Sequence, residues 1–139
     1  MASTPEGKVK EKARKLYRQH GAACFQPAQM GMGSNGTPDQ LVCRNDGHFG
    51  GVETKAGTWR VSALQRIRLE EIATAGGSSM VVRETNLAML EQWLKSPGWR
   101  VNAVLEGEVC VGHIATAPGC PPVEIKNPGP KRRGKNTEQ

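Results

Sequence analysis

Apolar positions in the first two thirds of the chain follow a helical spacing in some segments and a strand-like spacing in others. From Thr4 to Gln19 they recur every three or four residues, which predicts an amphipathic helix with Ser3 or Thr4 as its cap. The same spacing predicts two more helices, from Ser62 to Ala75 and from Thr85 to Lys95.

Shorter apolar segments between these helices are predicted to be strands. Asp39 to Arg44 and Gly51 to Ala56 flank the turn sequence Asn45-Asp46-Gly47, so they should form a β-hairpin. Further predicted strands are Ala22 to Gln26, Ser79 to Arg83, Arg100 to Leu105 and Val109 to Ile114. The resulting order of elements predicts an α/β fold in which a small mixed sheet is flanked by helices.

Composition divides the chain into three predicted parts. Residues 1–96 carry the periodic segments and should form the compact core, and residues 97–116 should add a further hairpin. Residues 117–139 contain five prolines and the basic run Lys131-Arg-Arg133, so this tail is predicted to be disordered. A glycine-rich loop is predicted from Met30 to Thr37.

Charge and cysteine content narrow the class of protein. The chain has 19 lysines and arginines against 13 aspartates and glutamates, a net charge of +6 that favours a partner such as nucleic acid. It has neither a long apolar run nor a secretion signal at its start, which predicts a cytoplasmic protein without a membrane partner. Four scattered cysteines without zinc spacing should be free and mostly buried thiols.

The predicted hairpin brings two acidic residues together. With the turn near Asp46, Asp39 lies opposite residue 53 or residue 54, so its carboxylate can approach that of Glu53. Two neighbouring carboxylates repel each other, and a hard divalent cation such as Mg²⁺ relieves that repulsion. Asp39 and Glu53 are therefore candidate metal ligands, with the backbone carbonyl of Thr54 as a third.

Lys55 completes the candidate site. Residues two apart on a strand point to the same face, so Lys55 emerges beside Glu53 while Val52 and Thr54 face the other way. A fixed positive charge there can orient an attacking hydroxide and offset the negative charge that builds on a phosphate in its transition state. Pro38 suits the start of an edge strand and presents Asp39 there.

Context separates this Glu-x-Lys triplet from the others in the chain. The three triplets are Glu6-Gly-Lys8, Glu53-Thr-Lys55 and Glu124-Ile-Lys126. The first lies on a predicted helix, where residues two apart diverge, and the third lies in the proline-rich tail. The alternative interpretation of the second is a solvent-facing hairpin whose charged residues form an exposed salt bridge of little energetic weight.

The ordered set of motifs Gly36-Thr-Pro-Asp39, hairpin, Glu53-Thr-Lys55 and Gln65 at a helix start resembles the VRR-NUC family of the PD-(D/E)XK nuclease superfamily, in its stand-alone phage or prophage type. The resemblance covers residues 4–95 and implies a restriction-endonuclease-like core. It also implies a deoxyribonuclease that depends on Mg²⁺ or Mn²⁺ and hydrolyses phosphodiester bonds.

Carried over by position, the resemblance implies roles for five residues. Asp39 and Glu53 would be metal ligands, Lys55 the catalytic lysine, Gln65 a supporting residue and Glu6 an accessory acid. Two of these have a structural alternative, because Ser3-x-x-Glu6 and Ser62-x-x-Gln65 are both capping-box sequences. Trp59 likewise fits either a base-stacking position or the core.

The resemblance further implies the substrate and the assembly. Its stand-alone members are similar to enzymes that resolve Holliday junctions, which indicates branched DNA, a role in DNA repair and recombination, and a homodimer that cuts two strands. A phage-encoded protein of this kind would act in the cytoplasm of its bacterial host.

Two alternatives remain open from the sequence. One is a nicking or restriction-like endonuclease that acts on linear duplex with the same fold. The other is a non-catalytic basic DNA-binding protein, in which Lys131, Arg132 and Arg133 matter more than Asp39.

Overall fold

A computed structural model describes residues 4–27 and 35–129 of the 139-residue chain. The described residues form three helices, α1 (Pro5–Gln19), α2 (Ala63–Thr74) and α3 (Leu87–Leu94). They also form seven strands, β1 (Ala23–Phe25), β2 (Gln40–Cys43), β3 (Phe49–Thr54), β4 (Ser78–Val82), β5 (Arg100–Glu106), β6 (Val109–Thr116) and β7 (Val123–Lys126). The strands join one mixed sheet in chain order, which confirms the predicted α/β class.

The starts of α1 and α2 follow from their capping residues. Thr4 caps α1, with its hydroxyl oxygen accepting a hydrogen bond from the Gly7 amide at 2.9 Å. Ser62 and Gln65 form a reciprocal capping box at the start of α2. The predicted caps Thr4 and Ser62 are confirmed, whereas Ser3 lies outside the described residues.

β3 joins the antiparallel strands β1 and β2 to the parallel strand β4. It pairs antiparallel with β2, where Gln40 lies opposite Val52, and parallel with β4, where Val52 lies opposite Met80. Helices α1 and α3 pack over one face of the sheet and α2 packs over the other. Because both faces are covered, residues 50–54 are all buried, including the polar Glu53 and Thr54.

Two consecutive glycines let the helices approach β3 closely. A Cβ at Gly50 would lie 2.7 Å from the Trp93 ring of α3, and one at Gly51 would lie 2.6 Å from Ile72 of α2. Both separations are shorter than carbon atoms tolerate, so the helix positions depend on the absence of side chains here.

Side chains of β5 and β6 accept some of the hydrogen bonds from the backbone amides of β4. In the described residues the ladder between these strands contains the single pair Ser79 and Asn102. The Asn102 side-chain oxygen accepts from the Ser79 amide at 3.0 Å, and His113 Nε2 of β6 accepts from the Val81 amide at 3.1 Å. Burial lowers the pKa of His113 to about 4, so the ring is neutral and can accept this bond.

The C-terminal part of the fold differs from the sequence prediction. The predicted extra hairpin is present as β5 and β6, but the expectation of disorder from residue 117 onward is wrong for Val123–Lys126, which forms β7. Val123 and Ile125 alternate with charged residues, and β6 offers its open edge as a partner. The basic run Lys131-Arg-Arg133 and most of the predicted loop from Met30 to Thr37 lie outside the described residues.

The cysteines are unpaired, and two of them are exposed. Within the described residues the four cysteines form no disulfide, but Cys43 and Cys120 are exposed, so the expectation of mostly buried thiols is wrong for these two. In the part of the chain that the structure describes, none of the helices is long and apolar enough to cross a membrane.

Candidate active site

The predicted site residues lie at the end of the sheet where β2 starts and β3 finishes. Asp39 directly precedes β2, Glu53 lies near the end of β3 and Lys55 follows it. Gln65 is in the first turn of α2, and Glu6 is in the first turn of α1. The site therefore draws on the hairpin and on the starts of two helices from opposite faces of the sheet.

Glu53, Lys55 and Gln65 form one hydrogen-bonded group. Gln65 Nε2 donates to Glu53 Oε2 at 2.8 Å, and Lys55 Nζ donates to Gln65 Oε1 at 3.1 Å. The distance from Lys55 Nζ to Glu53 Oε2 is 3.8 Å, and Glu53 is only 2% exposed. This is the same-face arrangement that the spacing of Glu53 and Lys55 predicts.

Gln65 both caps α2 and contacts the site residues, the two roles that the sequence left as alternatives. Its Oε1 accepts from the Ser62 amide at 2.9 Å, as in a capping box, and also from Lys55 Nζ. Its Nε2 remains free for Glu53. The helix cap thus fixes the amide group that contacts both Glu53 and Lys55.

Asp39 is held by the backbone and side chain of Thr54. Its Oδ2 accepts from the Thr54 amide at 3.0 Å and from the Thr54 hydroxyl at 2.8 Å. Thr54 nevertheless faces the side opposite to Glu53, as predicted, because it lies level with Val82 of the cluster under α1 and α3, whereas Glu53 lies level with Val81 of the cluster under α2. Asp39 lies one residue before β2 begins, so strand alternation does not restrict where its carboxylate points.

Glu6 reaches the site through a lysine that sequence reasoning missed. Lys10 Nζ lies 3.7 Å from Glu6 Oε2 and 3.8 Å from Asp39 Oδ1. The spacing of Glu6 and Lys10, four residues apart on a helix, is the signal that could have found this pair. Because Thr4 caps α1, the capping box predicted for Ser3 and Glu6 is not the arrangement at the described start of this helix.

The electrostatics of the site centre on Glu53. Burial, and after it the Asp39 carboxylate, raise the pKa of Glu53 to about 8, although Lys55 acts in the opposite direction. Glu53 Oε1 is buried and has no hydrogen-bond partner among the described residues. A buried carboxylate oxygen of this kind, next to a second carboxylate, favours binding of a proton or a cation.

The donor set fits a hard divalent cation better than zinc. Residues 4–27 and 35–129 contain no group of three or more His, Cys, Asp or Glu side chains placed to hold a metal ion. Mg²⁺ is commonly held by one or two carboxylates and keeps several waters, so Asp39 and Glu53 have the chemistry it needs. The Thr54 carbonyl stays a predicted additional ligand.

Trp59 and the third Glu-x-Lys triplet lie apart from this group. Trp59 is half-buried against a core cluster of the sheet, and the Arg83 guanidinium lies 4.9 Å from its ring centroid, which favours the core interpretation. Glu124 and Lys126 are exposed on β7.

Comparison with known proteins supports the fold. No known protein-family profile matches the sequence, and no curated protein does. Among solved structures, one described as "VRR_NUC domain" aligns with a TM-score of 0.57 and 22% sequence identity, over 68% of this chain and 99% of that chain. The chain thus shares the fold of a VRR_NUC domain, which confirms, at the level of the fold, the resemblance predicted from the motifs.

Proposed function

We propose that this chain is a metal-dependent nuclease of the VRR-NUC type that hydrolyses phosphodiester bonds in DNA with Mg²⁺ or Mn²⁺. The observation that carries the proposal is the buried Glu53 Oε1, which has no partner among the described residues and lies in the group of Glu53, Lys55 and Gln65, beside the Asp39 carboxylate. The shared fold supports it, because the same ordered motifs that predicted this fold also define the site.

Asp39 and Glu53 are the residues that would hold the cation. Thr54 fixes the Asp39 carboxylate through two hydrogen bonds, and Gln65 fixes Glu53 Oε2, so each carboxylate keeps an oxygen available for a ligand. When bound, a divalent cation supplies Lewis acidity at the phosphate and relieves the repulsion between the two carboxylates.

Lys55 is the group that would act on the reacting phosphate. Its Nζ is anchored by Gln65, and its side chain is largely buried, so its positive charge is fixed in a site of low polarity. In this position it orients the attacking water and stabilises negative charge on the phosphate oxygens. Gln65 is a positioning residue, because it holds both Lys55 and Glu53.

For the substrate we propose branched DNA such as a Holliday junction, cut by a homodimer in repair or recombination in the cytoplasm. A net charge of +6 favours association with the phosphate backbone. The sequence carries no motif of a zinc finger or a helix-turn-helix, so specificity should come from the shape of the DNA.

The test is a cleavage assay with Mg²⁺ or Mn²⁺ on junction, flap and linear duplex substrates of matched sequence. We expect cleavage of the junction, and we expect Asp39→Ala to lower the rate by at least roughly a hundredfold. Glu124→Ala is the matched control, since Glu124 belongs to a Glu-x-Lys triplet on exposed β7, and its rate should be unchanged.

Each alternative has its own result in this assay. A preference for linear duplex would overturn the branched substrate and favour the nicking or restriction-like enzyme. Binding without cleavage by the unmutated protein, lost when residues 131–133 are neutralised, would favour the non-catalytic DNA-binding protein. Cleavage that survives Asp39→Ala would exclude the proposed site.

A further inference from the structure

Lys10 is a second positively charged group in the candidate site, and it belongs to neither the Asp39 motif nor the Glu53-Thr-Lys55 motif. Its ammonium lies between two of the proposed acidic residues, 3.7 Å from Glu6 Oε2 and 3.8 Å from Asp39 Oδ1. The Lys10 side chain is 31% exposed and that of Asp39 is 15% exposed, so water only partly screens this interaction.

A buried network fixes Lys10 relative to Asp39. Gln40, which directly follows Asp39, donates from Nε2 to the Lys10 carbonyl at 3.2 Å. Its Oε1 accepts from the Tyr17 hydroxyl at 2.7 Å, and both Gln40 and Tyr17 are buried. The backbone of Lys10 is thereby tied to the start of β2, so its approach to Asp39 is part of the packing of α1 on the sheet.

We propose that Lys10 is a built-in counterion of the metal site, which neutralises Asp39 in the metal-free protein and which the divalent cation must displace. The inference rests on the proposed function and adds a residue to it. Both cations would be attracted to the same carboxylate, and two positive charges a few ångströms apart repel each other.

The displaced ammonium has a place in substrate binding. Lys10 lines a cavity of about 680 Å³ at the start of α1, together with Glu6, Gly57 and Glu84. Glu6 and Glu84 would repel a DNA phosphate in this cavity, and Lys10 supplies a positive charge that opposes the repulsion. Lys10 would then exchange its contact with Asp39 for one with a phosphate, while Glu6 stays beside it.

The test is a titration of the protein with Mn²⁺ alone, without DNA, at low ionic strength. Lys10→Met keeps the length of the apolar stem and removes the charge, so we expect it to bind Mn²⁺ roughly tenfold more tightly than the unmutated protein. Lys8→Met, which makes the same charge change at an exposed position on the same helix, should alter the affinity by less than about twofold. Lys10→Arg should stay close to the unmutated protein.

The outcomes separate this inference from the proposed function. If the unmutated protein binds Mn²⁺ and Lys10→Met binds it equally or more weakly, the counterion role is overturned while the metal site stands. An equal gain in Lys8→Met would also overturn it, since net charge alone would explain the effect. If neither the unmutated protein nor Lys10→Met binds Mn²⁺, both proposals fail. A thermal melt in EDTA checks folding, and Lys10→Gln replaces Lys10→Met if that variant does not fold.

Discussion

The two ends of the β2–β3 hairpin both bury charge, but they differ in how completely that charge is bonded. At the turn, Arg44 is 1% exposed, and its guanidinium donates to both Asp46 carboxylate oxygens at 2.8 Å and to the carbonyls of Trp93 and Trp99 at 3.2 and 2.8 Å. At the opposite end, one oxygen of Glu53 lacks a partner among the described residues. The hairpin thus carries a completed charge cluster and an incomplete one.

The pKa values of Asp46 and Glu53 move in opposite directions, because only Asp46 has a full set of donors. The Arg44 side chain, with the Gly98 and His48 amides, holds the pKa of Asp46 well below its usual range. Burial and Asp39 raise the pKa of Glu53 instead. A buried charge with all its partners fixes the geometry of the fold, whereas one without them has binding capacity left for a ligand.

The largest effect should come from Glu53→Gln, which keeps the shape of the side chain but removes its charge. We expect the cleavage rate to fall by roughly a thousandfold, because one metal ligand is lost. In EDTA, the same substitution should raise the free energy of unfolding at alkaline pH. Since the pKa of Glu53 is about 8 in the folded protein and about 4.3 when unfolded, folded Glu53 holds its proton more tightly, and stability is lost as pH rises between these values.

Urea unfolding at two pH values checks this prediction. Glu53→Gln should exceed the unmutated protein by on the order of 2 kcal/mol at pH 8.5 and by little at pH 5. Glu124→Gln, at an exposed position, should leave both curves unchanged. A variant that is less stable at pH 8.5 would mean that Glu53 is as fully bonded as Arg44.

Arg44→Met should produce the second largest effect, and it should appear in stability alone. Removing the guanidinium takes the charged partner from Asp46 and one donor from each of the carbonyls of Trp93 and Trp99, which should cost about 3 kcal/mol in the free energy of unfolding. The cleavage rate per folded molecule should stay within about twofold. Arg18→Met, at an exposed position on α1, is the control and should change stability by less than about 0.5 kcal/mol.

Substitutions at the capping box of α2 should separate the two functions of Gln65. Gln65→Ala removes the contacts to Glu53 and Lys55, so the cleavage rate should fall roughly tenfold. Ser62→Ala removes a cap bond only and should lower stability by about 1 kcal/mol with the rate nearly intact. Equal losses of cleavage rate in the two variants would mean that Gln65 acts only by capping α2.

The smallest effect concerns Asp46 and acid. A carboxyl group whose pKa is lowered on folding contributes stability above its unfolded pKa of about 3.9, and the contribution disappears as pH falls toward the folded value. Asp46→Asn should therefore be less stable than the unmutated protein at pH 7 by about 1 kcal/mol, a modest value because water screens this partly exposed group. The gap should narrow in unfolding curves recorded between pH 4 and pH 2, and a gap that widens would contradict the assignment.

The parts of the site that the sequence predicted depend on short-range geometry. The turn at Asn45-Asp46-Gly47 sets the register of the hairpin, and extending that register by one residue places Asp39 level with Glu53. Lys55 follows from the two-residue period of a strand. These relations need no knowledge of how the helices pack.

The parts that the sequence did not predict depend on contacts between distant segments. Lys10 meets Asp39 because α1 packs on the sheet, where hydrogen bonds of Tyr17 and Gln40 join it to β2. The Asp39 carboxylate contacts the Thr54 hydroxyl and Lys10 of α1, although Asp39 lies level with Glu53 across the hairpin. The strand β7 was not predicted, because the prolines on both sides of it indicated disorder, although Val123 and Ile125 alternate with charged residues as in a strand.

The seam between β4 and β5 has a consequence for mutational tolerance. Most neighbouring strands in this sheet are joined by a ladder of backbone groups, which every residue except proline supplies, so the identity of the side chains matters little there. Along β4, the Ser79 and Val81 amides donate instead to side chains, that of Asn102 on β5 and that of His113 on β6. The pairing of β4 with its neighbours therefore depends on which residues stand at positions 102 and 113. Exchange of either side chain for an apolar one would leave a buried amide without its acceptor.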